Sequence, residues 1–377
     1  MHSRRRDLPV PTAAIVWKEG DSFSLEEIYL DELRSDEVRV HLVATGVCHT
    51  DLSAANGSTP FPLPGVLGHE GAGIVEAVGT SVTRTKVGDR VLLSFTSCGR
   101  CAGCRNGHPA LCDSHLILNL FGGRRADGTT TLRHSSGELN AHFFGQSSFS
   151  ETAVVDERSI VVLPSDTTND ELIIFAPLGC GFQTGAGAVL NVLRPEPGST
   201  IAVTGAGAVG LAAAMAARMT PASRVIVIDR VQSRLELAKQ LGASDVIDTS
   251  DNDLTSSLLD ITDGRGVDYV VETTGNVGVL EASVLSLAVG GTCALIGAPR
   301  AGSTAAFDVN RMLPGRVIRG ITLGDSEPQT FIPVLIDAYR RGLFPIDRLE
   351  RVYPFADINA AAADAAAGVT IKPVLVF

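Results

Sequence analysis

The sequence predicts an α/β protein in which a doubly wound, parallel, six-stranded sheet is joined to a second, β-rich domain. At 377 residues the chain exceeds the size, roughly 250–300 residues, at which a single hydrophobic core stops growing, so two domains are expected. Short β-branched runs separated by glycine and proline fill the chain up to about residue 156, which is typical of a β-rich domain. From about residue 199, six apolar strands alternate with mostly helix-length connections, which is the pattern of a doubly wound parallel sheet.

The individual elements follow from short stretches of sequence. The β-rich part contains the runs AAIVW, EVRVHLVAT, GAGIVEAVG, GDRVLLSF and AVVDERSIVVLP. The six parallel strands are predicted in STIAVTGAG, SRVIVIDR, ASDVIDT, VDYVVETTG, GTCALIGAP and RVIRGITLG. The C-terminal stretch, with a helix predicted in INAAAADAAAG, is expected to rejoin the first domain. We therefore expect a β-rich domain over 1–180 with a cysteine-rich lobe at about 95–115, a nucleotide-binding domain over 181–325, and a return over 326–377.

The charge balance argues against two classes of partner. The net charge is −11 and the pI is about 5.2, so the chain offers neither nucleic acid nor an anionic membrane a positive field. No apolar run reaches the roughly 18–20 residues that a bilayer span needs. The start, MHSRRRDLPVPT, has three arginines with no apolar stretch behind them and is not expected to be an export signal. We expect a cytoplasmic protein with a small ligand.

A glycine-rich turn indicates a nucleotide site. It follows the strand TIAVT, precedes the helical stretch VGLAAAMAARM, and has the pattern G-x-G-x-x-G in Gly205, Gly207, Ala208, Val209 and Gly210. The first two glycines allow a pyrophosphate to approach the backbone, and the third allows helix and strand to pack closely. Asp229 ends the next strand, where a carboxylate accepts hydrogen bonds from an adenosine ribose and repels a 2′-phosphate. The sequence therefore predicts NAD rather than NADP, although the adjacent Arg230 weakens this preference.

Four of the seven cysteines lie within fifteen residues, at Cys98, Cys101, Cys104 and Cys112. Such clustering fits a metal site in a reducing compartment better than a disulfide framework. Four thiolates form a closed tetrahedral zinc site with no open position, which stabilises its loop. An iron–sulfur cluster is the alternative, but in bacterial ferredoxins the fourth cysteine follows after about three residues and precedes proline, whereas Asp113 follows here. We expect structural zinc.

A second set of potential ligands is dispersed along the chain. GVCHTDL contains Cys48, GHEGAG contains His69 and Glu70, and PLGCGFQTGAG contains Cys180. Two cysteines and a histidine leave one zinc position open for water or substrate, as in an alcohol-oxidising site. Because these residues are far apart in sequence, their types alone leave open that each is an ordinary buried side chain.

Together, these motifs resemble the zinc-containing medium-chain alcohol dehydrogenases over essentially the whole chain. The resemblance rests on GVCHTDL, LGHEGAGIVEAVG, VGDRV, the four-cysteine lobe, LGCGFQTGAGAVLN, TGAGAVG and the terminal IKPVLVF, in this order. NLFGGRRADGTT and HFFGQSSFSE further resemble the aryl (benzyl) alcohol and geraniol dehydrogenase branch. The resemblance implies a GroES-like catalytic domain, a Rossmann NAD-binding domain, one catalytic and one structural zinc per chain, and a homodimer or homotetramer.

The resemblance also implies roles for individual residues. The catalytic zinc ligands would be Cys48, His69 and Cys180. Glu70 would lie behind the ion as an occasional ligand, Asp51 would orient the liganding histidine, and Thr50 would take the proton of the alcohol. The alternative for Glu70 and Asp51 is that each is a solvated loop charge.

One position departs from the best-known members of the family, whose proton relay ends at a histidine three residues past the hydroxyl. This chain has Ser53 there, and serine does not titrate near neutral pH. The relay then ends in water, or His49 substitutes for the missing histidine. His49 otherwise matches a position that contacts the cofactor phosphates, or is an exposed loop histidine.

Further contacts follow from the same resemblance. Lys372 matches a basic residue on the cofactor pyrophosphate and Arg234 one that reaches the adenosine ribose, although both residue types are usually surface charges. A hydrophobic alcohol calls for an apolar pocket, whose walls would include Phe95, Leu118, Phe143 and Leu323. These four are equally typical of a protein core.

The sequence thus predicts a zinc- and NAD-dependent dehydrogenase that interconverts a primary allylic or aromatic alcohol and its aldehyde. The alternatives are a glutathione-dependent formaldehyde or general aliphatic alcohol dehydrogenase and, outside enzymes, a non-catalytic redox-sensing zinc protein on the same fold. A zinc-free quinone reductase is disfavoured because it would use neither ligand set.

Overall fold

The computed structural model describes residues 10–377, so the arginine-rich start at residues 1–9, and the expectation attached to it, lie outside the described residues. The chain divides into two compact units. Among the described residues, unit 1 comprises 10–98, 114–177 and 351–377, and unit 2 comprises 99–113 and 178–350. The chain therefore passes from one unit to the other after residues 98, 113, 177 and 350. The domain boundaries that the sequence suggests, at 180 and 325, stay a prediction.

The strands of the described chain alternate with short helices and turns. In chain order the strands are β1 (Thr12–Val16), β2 (Ser24–Glu27), β3 (Tyr29–Leu30), β4 (Glu37–Gly46), β5 (Gly65–Val66), β6 (Gly71–Val78), β7 (Arg90–Leu93), β8 (Leu132–His134), β9 (Gly137–Glu138), β10 (Thr152–Asp156), β11 (Ile160–Val162), β12 (Thr200–Thr204), β13 (Arg224–Asp229), β14 (Asp245–Asp248), β15 (Val267–Glu272), β16 (Leu287–Leu295), β17 (Val317–Gly320), β18 (Glu350–Pro354) and β19 (Lys372–Val376).

The α-helices are α1 (His49–Ala55), α2 (Ala102–Arg105), α3 (Asn169–Phe175), α4 (Gly181–Gly187), α5 (Ala208–Arg218), α6 (Gln232–Gln240), α7 (Leu254–Ile261), α8 (Val277–Leu285), α9 (Val309–Met312), α10 (Pro328–Arg340) and α11 (Ile358–Ala366). Single turns of 3₁₀-helix lie at Pro109–Leu111, Phe143–Gly145, Glu157–Ser159, Ala176–Gly179, Leu323–Asp325, Ile346–Leu349 and Phe355–Asp357. Turns of π-helix lie at Ile117–Phe121 and Ala188–Leu193.

Unit 1 is the β-rich domain that the sequence predicts. Its main sheet has the order β11-β7-β6-β4-β19-β18, with β10 also paired to β4, and two small sheets have the orders β2-β1-β5 and β3-β8-β9. The long strand β4 shows why the sheet forms, because Val38, Val40 and Leu42 alternate with polar residues and are fully buried in one core cluster. Strand β19 pairs antiparallel with β4, so it belongs to this sheet.

Unit 2 contains the predicted doubly wound sheet. Its order is β14-β13-β12-β15-β16-β17, and every neighbouring pair is parallel. All six strands predicted from the sequence are present, and β12 is buried along its whole length, as in a sheet covered on both faces. The alanine-rich α5 packs closely on α4, because a Cβ on Gly185 would overlap the carbonyl oxygen of Val209. The fold class is therefore confirmed.

Within residues 10–377, no single helix combines the length and apolar composition needed to cross a membrane. The consecutive helical segments Asn169–Gly179 and Gly181–Leu193 meet both conditions only when they are counted together. Most of their side chains are buried within the structure.

Candidate active site

Two groups of side chains in the described part of the chain have the chemistry and spacing to bind a metal ion. One consists of Cys98, Cys101, Cys104 and Cys112, and the other of Cys48, His69, Glu70 and Cys180. Within each group the potential ligand atoms lie within 4.8 Å of one another. Because tetrahedral zinc with ligand bonds of about 2.0–2.3 Å keeps its ligands roughly 3.3–3.8 Å apart, small side-chain shifts would close either group on one ion.

The four-cysteine group is built by local structure. Cys101 caps the N-terminus of α2, and its Sγ lies 3.5 Å from the Sγ of Cys104. The turn Pro109–Leu111 then leads to Cys112, and the guanidinium of Arg158 donates a hydrogen bond of 3.0 Å to the carbonyl oxygen of Cys98. The donor set is all thiol, so it fits a closed structural zinc site without an open position.

The first ligand of the dispersed group, Cys48, caps the N-terminus of α1. Its backbone N–H donates to Oδ2 of Asp51 at 2.8 Å, and its Sγ lies 3.8 Å from Oγ1 of Thr50. His49 is exposed, while Thr50 and Ser53 are half-buried on the same helix. The helix therefore places the predicted proton-accepting hydroxyl beside a predicted metal ligand.

Among the described residues, the imidazole of His69 is hydrogen-bonded through Nδ1 only. Its Nδ1 lies 2.8 Å from Oδ1 of Asp51, which also accepts the backbone N–H of Gly68 at 3.1 Å. Both side chains of the pair are fully buried, and Nε2 of His69 is buried with no hydrogen-bond partner among the described residues. Burial opposes a charge on His69, but the Asp51 carboxylate and the Cys48 thiol raise its pKa well above the ordinary value. In the neutral ring, an Nδ1–H that donates to Asp51 leaves the Nε2 lone pair for a metal, which takes the place of the proton that the raised pKa favours there. The donor set therefore fits zinc.

Glu70 lies next to this group and pairs with Lys372. The Lys372 ammonium is 2.9 and 3.0 Å from the two carboxylate oxygens and also donates to the carbonyl oxygen of Val47 at 3.3 Å. Both side chains are almost completely buried, at 0% and 2% exposure. Burial raises the pKa of Glu70, and the charge of Lys372 opposes that rise. The cofactor role that the sequence assigns to Lys372 stays a prediction.

Two residues that border His69, Phe144 and Gln146, were not predicted from the sequence. Phe144 stacks on the His69 ring, and Gln146 binds the backbone on both sides of Glu70, since it donates to the carbonyl oxygen of His69 at 2.9 Å and accepts the N–H of Gly71 at 3.1 Å. These residues lie in the stretch HFFGQSSFSE, which had indicated only a branch of the family. Their contacts cross more than 70 positions of sequence, so no local pattern reports them.

The glycine turn has the expected conformation. Gly205 has φ of +94°, which favours glycine, and a Cβ on Gly210 would overlap the carbonyl oxygen of Gly205. Asp229 ends β13, and its Oδ2 accepts the backbone N–H of Ala206 at 2.6 Å. The carboxylate therefore lies at the turn, as the motif requires. Arg230 is exposed and Arg234 is half-buried at the start of α6.

A further acid, at the C-terminal end of an interior strand of the parallel sheet, was not predicted. Glu272 ends β15, is fully buried, and accepts hydrogen bonds from the backbone and the hydroxyl of Thr274. Burial raises its pKa. The stretch VVETTG shows only a strand end, so the sequence carries no signal of this environment.

The predicted pocket residues are mostly buried. Phe95 is 3% exposed and its ring lies 6.1 Å from that of His115, while the ring of Phe143 is 5.4 Å from that of His69. Leu118 is half-buried in the π-helical turn, and Leu323 is 5% exposed with φ of +49°. Only Phe143 among the four is thus in ring contact with a predicted metal ligand, and the substrate contacts stay predictions.

Comparison with known proteins gives consistent results. Residues 34–165 match the alcohol dehydrogenase GroES-like domain family, and residues 208–339 match the zinc-binding dehydrogenase family. The chain is 42% identical over 367 residues to geraniol dehydrogenase of Castellaniella defragrans, covering 97% of each protein.

Solved structures agree with these matches. The crystal structure of an alcohol dehydrogenase zinc-binding domain protein from Burkholderia ambifaria superposes with a TM-score of 0.94 at 48% identity, covering 97% of this chain and 98% of that one. The benzyl alcohol dehydrogenase of Acinetobacter calcoaceticus superposes with a TM-score of 0.93 at 43% identity, covering 97% and 99%.

Proposed function

Because the chain belongs to the zinc-binding medium-chain alcohol dehydrogenase family, we propose that it transfers a hydride between NAD and a primary aromatic or allylic alcohol, giving the aldehyde. The observation that carries this proposal is the group of Cys48, His69 and Cys180, in which the buried Nε2 of His69 has no hydrogen-bond partner in the described part of the chain. The substrate class, benzyl alcohol or geraniol, is supported by two relatives that bear those names.

The dispersed group would hold the catalytic zinc, which acts when bound as a Lewis acid that polarises the alcohol oxygen. Asp51 would accept a hydrogen bond from the Nδ1–H of His69, which leaves Nε2, on the other side of the ring, to bind the ion. Lys372 neutralises the buried carboxylate of Glu70, which would lie behind the ion.

Thr50 would receive the proton of the alcohol, because its hydroxyl lies beside Cys48 in the first turn of α1. A hydroxyl that both accepts and donates passes a proton on without itself being a strong base. Ser53 or the exposed His49 would pass the proton to solvent, and His49 would also be placed to contact the cofactor phosphates.

The cofactor would bind at the glycine turn that precedes α5. The cofactor-binding residues would be Gly205, Gly207, Ala208, Val209, Gly210, Asp229, Arg230, Arg234 and Lys372. Asp229 supports NAD over NADP, because its carboxylate already lies at the turn and would repel a 2′-phosphate. The four-cysteine group would hold a second, structural zinc.

We also propose that the protein is a cytoplasmic homo-oligomer. Four closely spaced thiols suit a reducing compartment. Strand β17 forms one end of its sheet, and exposed apolar side chains lie near this edge, with Val289, Val309 and Leu313 each more than 70% exposed. An unpaired edge of this kind can pair with the same edge of a second copy about a two-fold axis.

The proposed function is tested by the initial rate of NADH formation with geraniol, benzyl alcohol and ethanol at equal concentration, each repeated with NADP. We expect high NAD-dependent rates on the first two alcohols and little on ethanol. Activity confined to S-hydroxymethylglutathione or to aliphatic alcohols would contradict the substrate class and favour the other branches. Higher rates with NADP would contradict the role of Asp229.

A further inference from the structure

The side chain of Phe144 lies flat against a proposed metal ligand. Its ring centroid is 4.4 Å from that of His69, and the two ring planes differ by only 21°. Phe144 is 6% exposed, and the imidazole beneath it is 1% exposed. One face of the imidazole is therefore covered by an aromatic ring within unit 1.

The backbone at Phe144 is strained. Its φ and ψ are +49° and +33°, in the left-handed region that bulky residues rarely adopt. Gly145 at +67° and Ser147 at +49° are left-handed as well. A non-glycine residue held in this region costs on the order of 1–3 kcal/mol and persists only where its surroundings determine it. Ordinary core packing does not require this conformation of a phenylalanine.

The surroundings that hold the turn are the residues on both sides of His69. The hydroxyl of Ser147 accepts the N–H of Phe143 at 3.0 Å and donates to the carbonyl oxygen of Val66 at 2.6 Å. The N–H groups of Ser148 and Phe149 donate to the carbonyl oxygens of Gly68 and Leu67, both at 2.9 Å. Gln146 donates to the carbonyl oxygen of His69 itself. The strained turn is thus hydrogen-bonded to the backbone of residues 66–69, which carries the imidazole.

The imidazole needs more than one contact to have a defined direction. Asp51 holds Nδ1 at a single point, about which the ring plane can still turn. The ring of Phe143 meets the imidazole edge-on, at 5.4 Å and 79°, and Phe144 covers its face. These two rings remove the remaining rotation, and offset stacked and edge-to-face pairs are favourable geometries for aromatic rings.

We propose that Phe144 is a positioning residue that fixes the plane of the His69 imidazole and thereby directs Nε2 at the metal. The proposal rests on the metal site of the proposed function, but not on the alcohol that the enzyme oxidises. Residues that orient a metal-binding histidine typically change metal affinity or activity by about 10–100-fold when they are altered.

The test compares Phe144→Leu, Phe144→Tyr and a control in cobalt-substituted protein. Leucine fills much of the space but has no ring plane, whereas tyrosine keeps the ring. The control is Phe23→Leu, because Phe23 is also 6% exposed and packs edge-on against Phe149 instead of His69. The measurements are the thiolate–cobalt absorption bands and the rate at which a chelator removes the ion, with Cys48→Ser as the reference for the four-cysteine group alone.

We expect Phe144→Leu to shift the bands of the dispersed group and to release its ion about 10–100-fold faster. Phe144→Tyr and Phe23→Leu should release it at the wild-type rate. If Phe144→Leu does not fold, Phe144→Gly, which relieves the left-handed strain, replaces it with the same expectation. Wild-type bands and release rates in a folded variant without the ring would overturn the proposal. A wild-type protein whose cobalt spectrum equals that of Cys48→Ser would instead overturn the metal site itself.

Discussion

The two groups of potential metal ligands in the described chain are built in opposite ways. The four-cysteine group comes from fifteen consecutive residues, contains only thiols, and leaves three of its four cysteines half-exposed. The dispersed group combines thiols with an imidazole and a carboxylate, and His69, Glu70 and Cys180 are all buried.

The difference shows how much support from the rest of the fold the dispersed group requires. The thiols of the four-cysteine group are brought together by short turns, with support from the backbone contact of Arg158. In the dispersed group, a buried imidazole and carboxylate would be costly without partners, and Asp51 and Lys372 supply them. A closed site stabilises a loop, whereas an open site must be held in one geometry by residues that do not bind the metal.

Cys48→Ser is the largest expected change in activity. We expect kcat to fall by about three orders of magnitude, because several kcal/mol of Lewis-acid catalysis are lost and each 1.36 kcal/mol is a factor of ten. The fold should remain, since the backbone N–H of residue 48 can still donate to Asp51. Initial rates and circular dichroism check both parts, and an unfolded or fully active variant would contradict the assignment.

Cys101→Ser should mainly reduce stability. A structural zinc contributes directly to the free energy of unfolding, so we expect the melting temperature to fall by roughly 10 °C and one zinc per chain to be lost. Cys293→Ala is the matched control, because Cys293 is buried in β16 outside both groups, where burial raises the pKa of its thiol to about 12. If Cys101→Ser keeps its zinc and its melting temperature but loses turnover, the four-cysteine group is not the structural site.

Lys372→Met tests the buried charge pair of the dispersed group. The variant leaves the Glu70 carboxylate buried without its ammonium, and removing one partner of such a pair typically costs about 3–5 kcal/mol in the free energy of unfolding. The double variant Glu70→Gln with Lys372→Met should be more stable than Lys372→Met alone, because no unpaired charge remains. Urea unfolding of the zinc-loaded proteins measures the free energy of unfolding of both variants. Equal losses of stability in the single and the double variant would show that the charges of Glu70 and Lys372 are not coupled.

The buried His142, which belongs to neither group of potential metal ligands, should make the stability of the fold depend on pH. Burial lowers its pKa to about 4, while Glu37 and Asp156 raise it slightly and Arg125 and Arg34 lower it. In the unfolded chain this histidine has a pKa near 6.5, so between about pH 6.5 and pH 4 it binds a proton that it does not bind in the folded protein. The free energy of unfolding therefore falls as the pH drops from about 6.5 towards 4. At pH 5.5 this titration lowers the free energy of unfolding by about 1.4 kcal/mol relative to alkaline pH.

The measurement is urea unfolding between pH 7 and pH 4.5. His142→Phe, which cannot titrate, should lose stability less steeply over this range than the wild type. Parallel curves for the two proteins would assign the pH dependence to other groups, including the metal ligands.

Most of the fold could be predicted because its signals are local. Each of the six parallel strands is a short apolar run followed by a turn, and the helix after Gly207 begins within the glycine motif, at Ala208. The four-cysteine group could be predicted for the same reason, since turns within fifteen residues bring its thiols together. The dispersed ligands had only their residue types and a family resemblance to connect them.

The sequence by itself determined the two kinds of domain, the position of the nucleotide turn and the four-cysteine group, because periodicity, glycine placement and cysteine spacing are properties of neighbouring residues. Only the tertiary structure decided that Lys372 neutralises Glu70, 302 positions away, and that a strained Phe144 covers His69. Such contacts depend on which side chains meet after the chain has folded, and the cost of a buried charge or a left-handed phenylalanine is offset by partners that are distant in sequence.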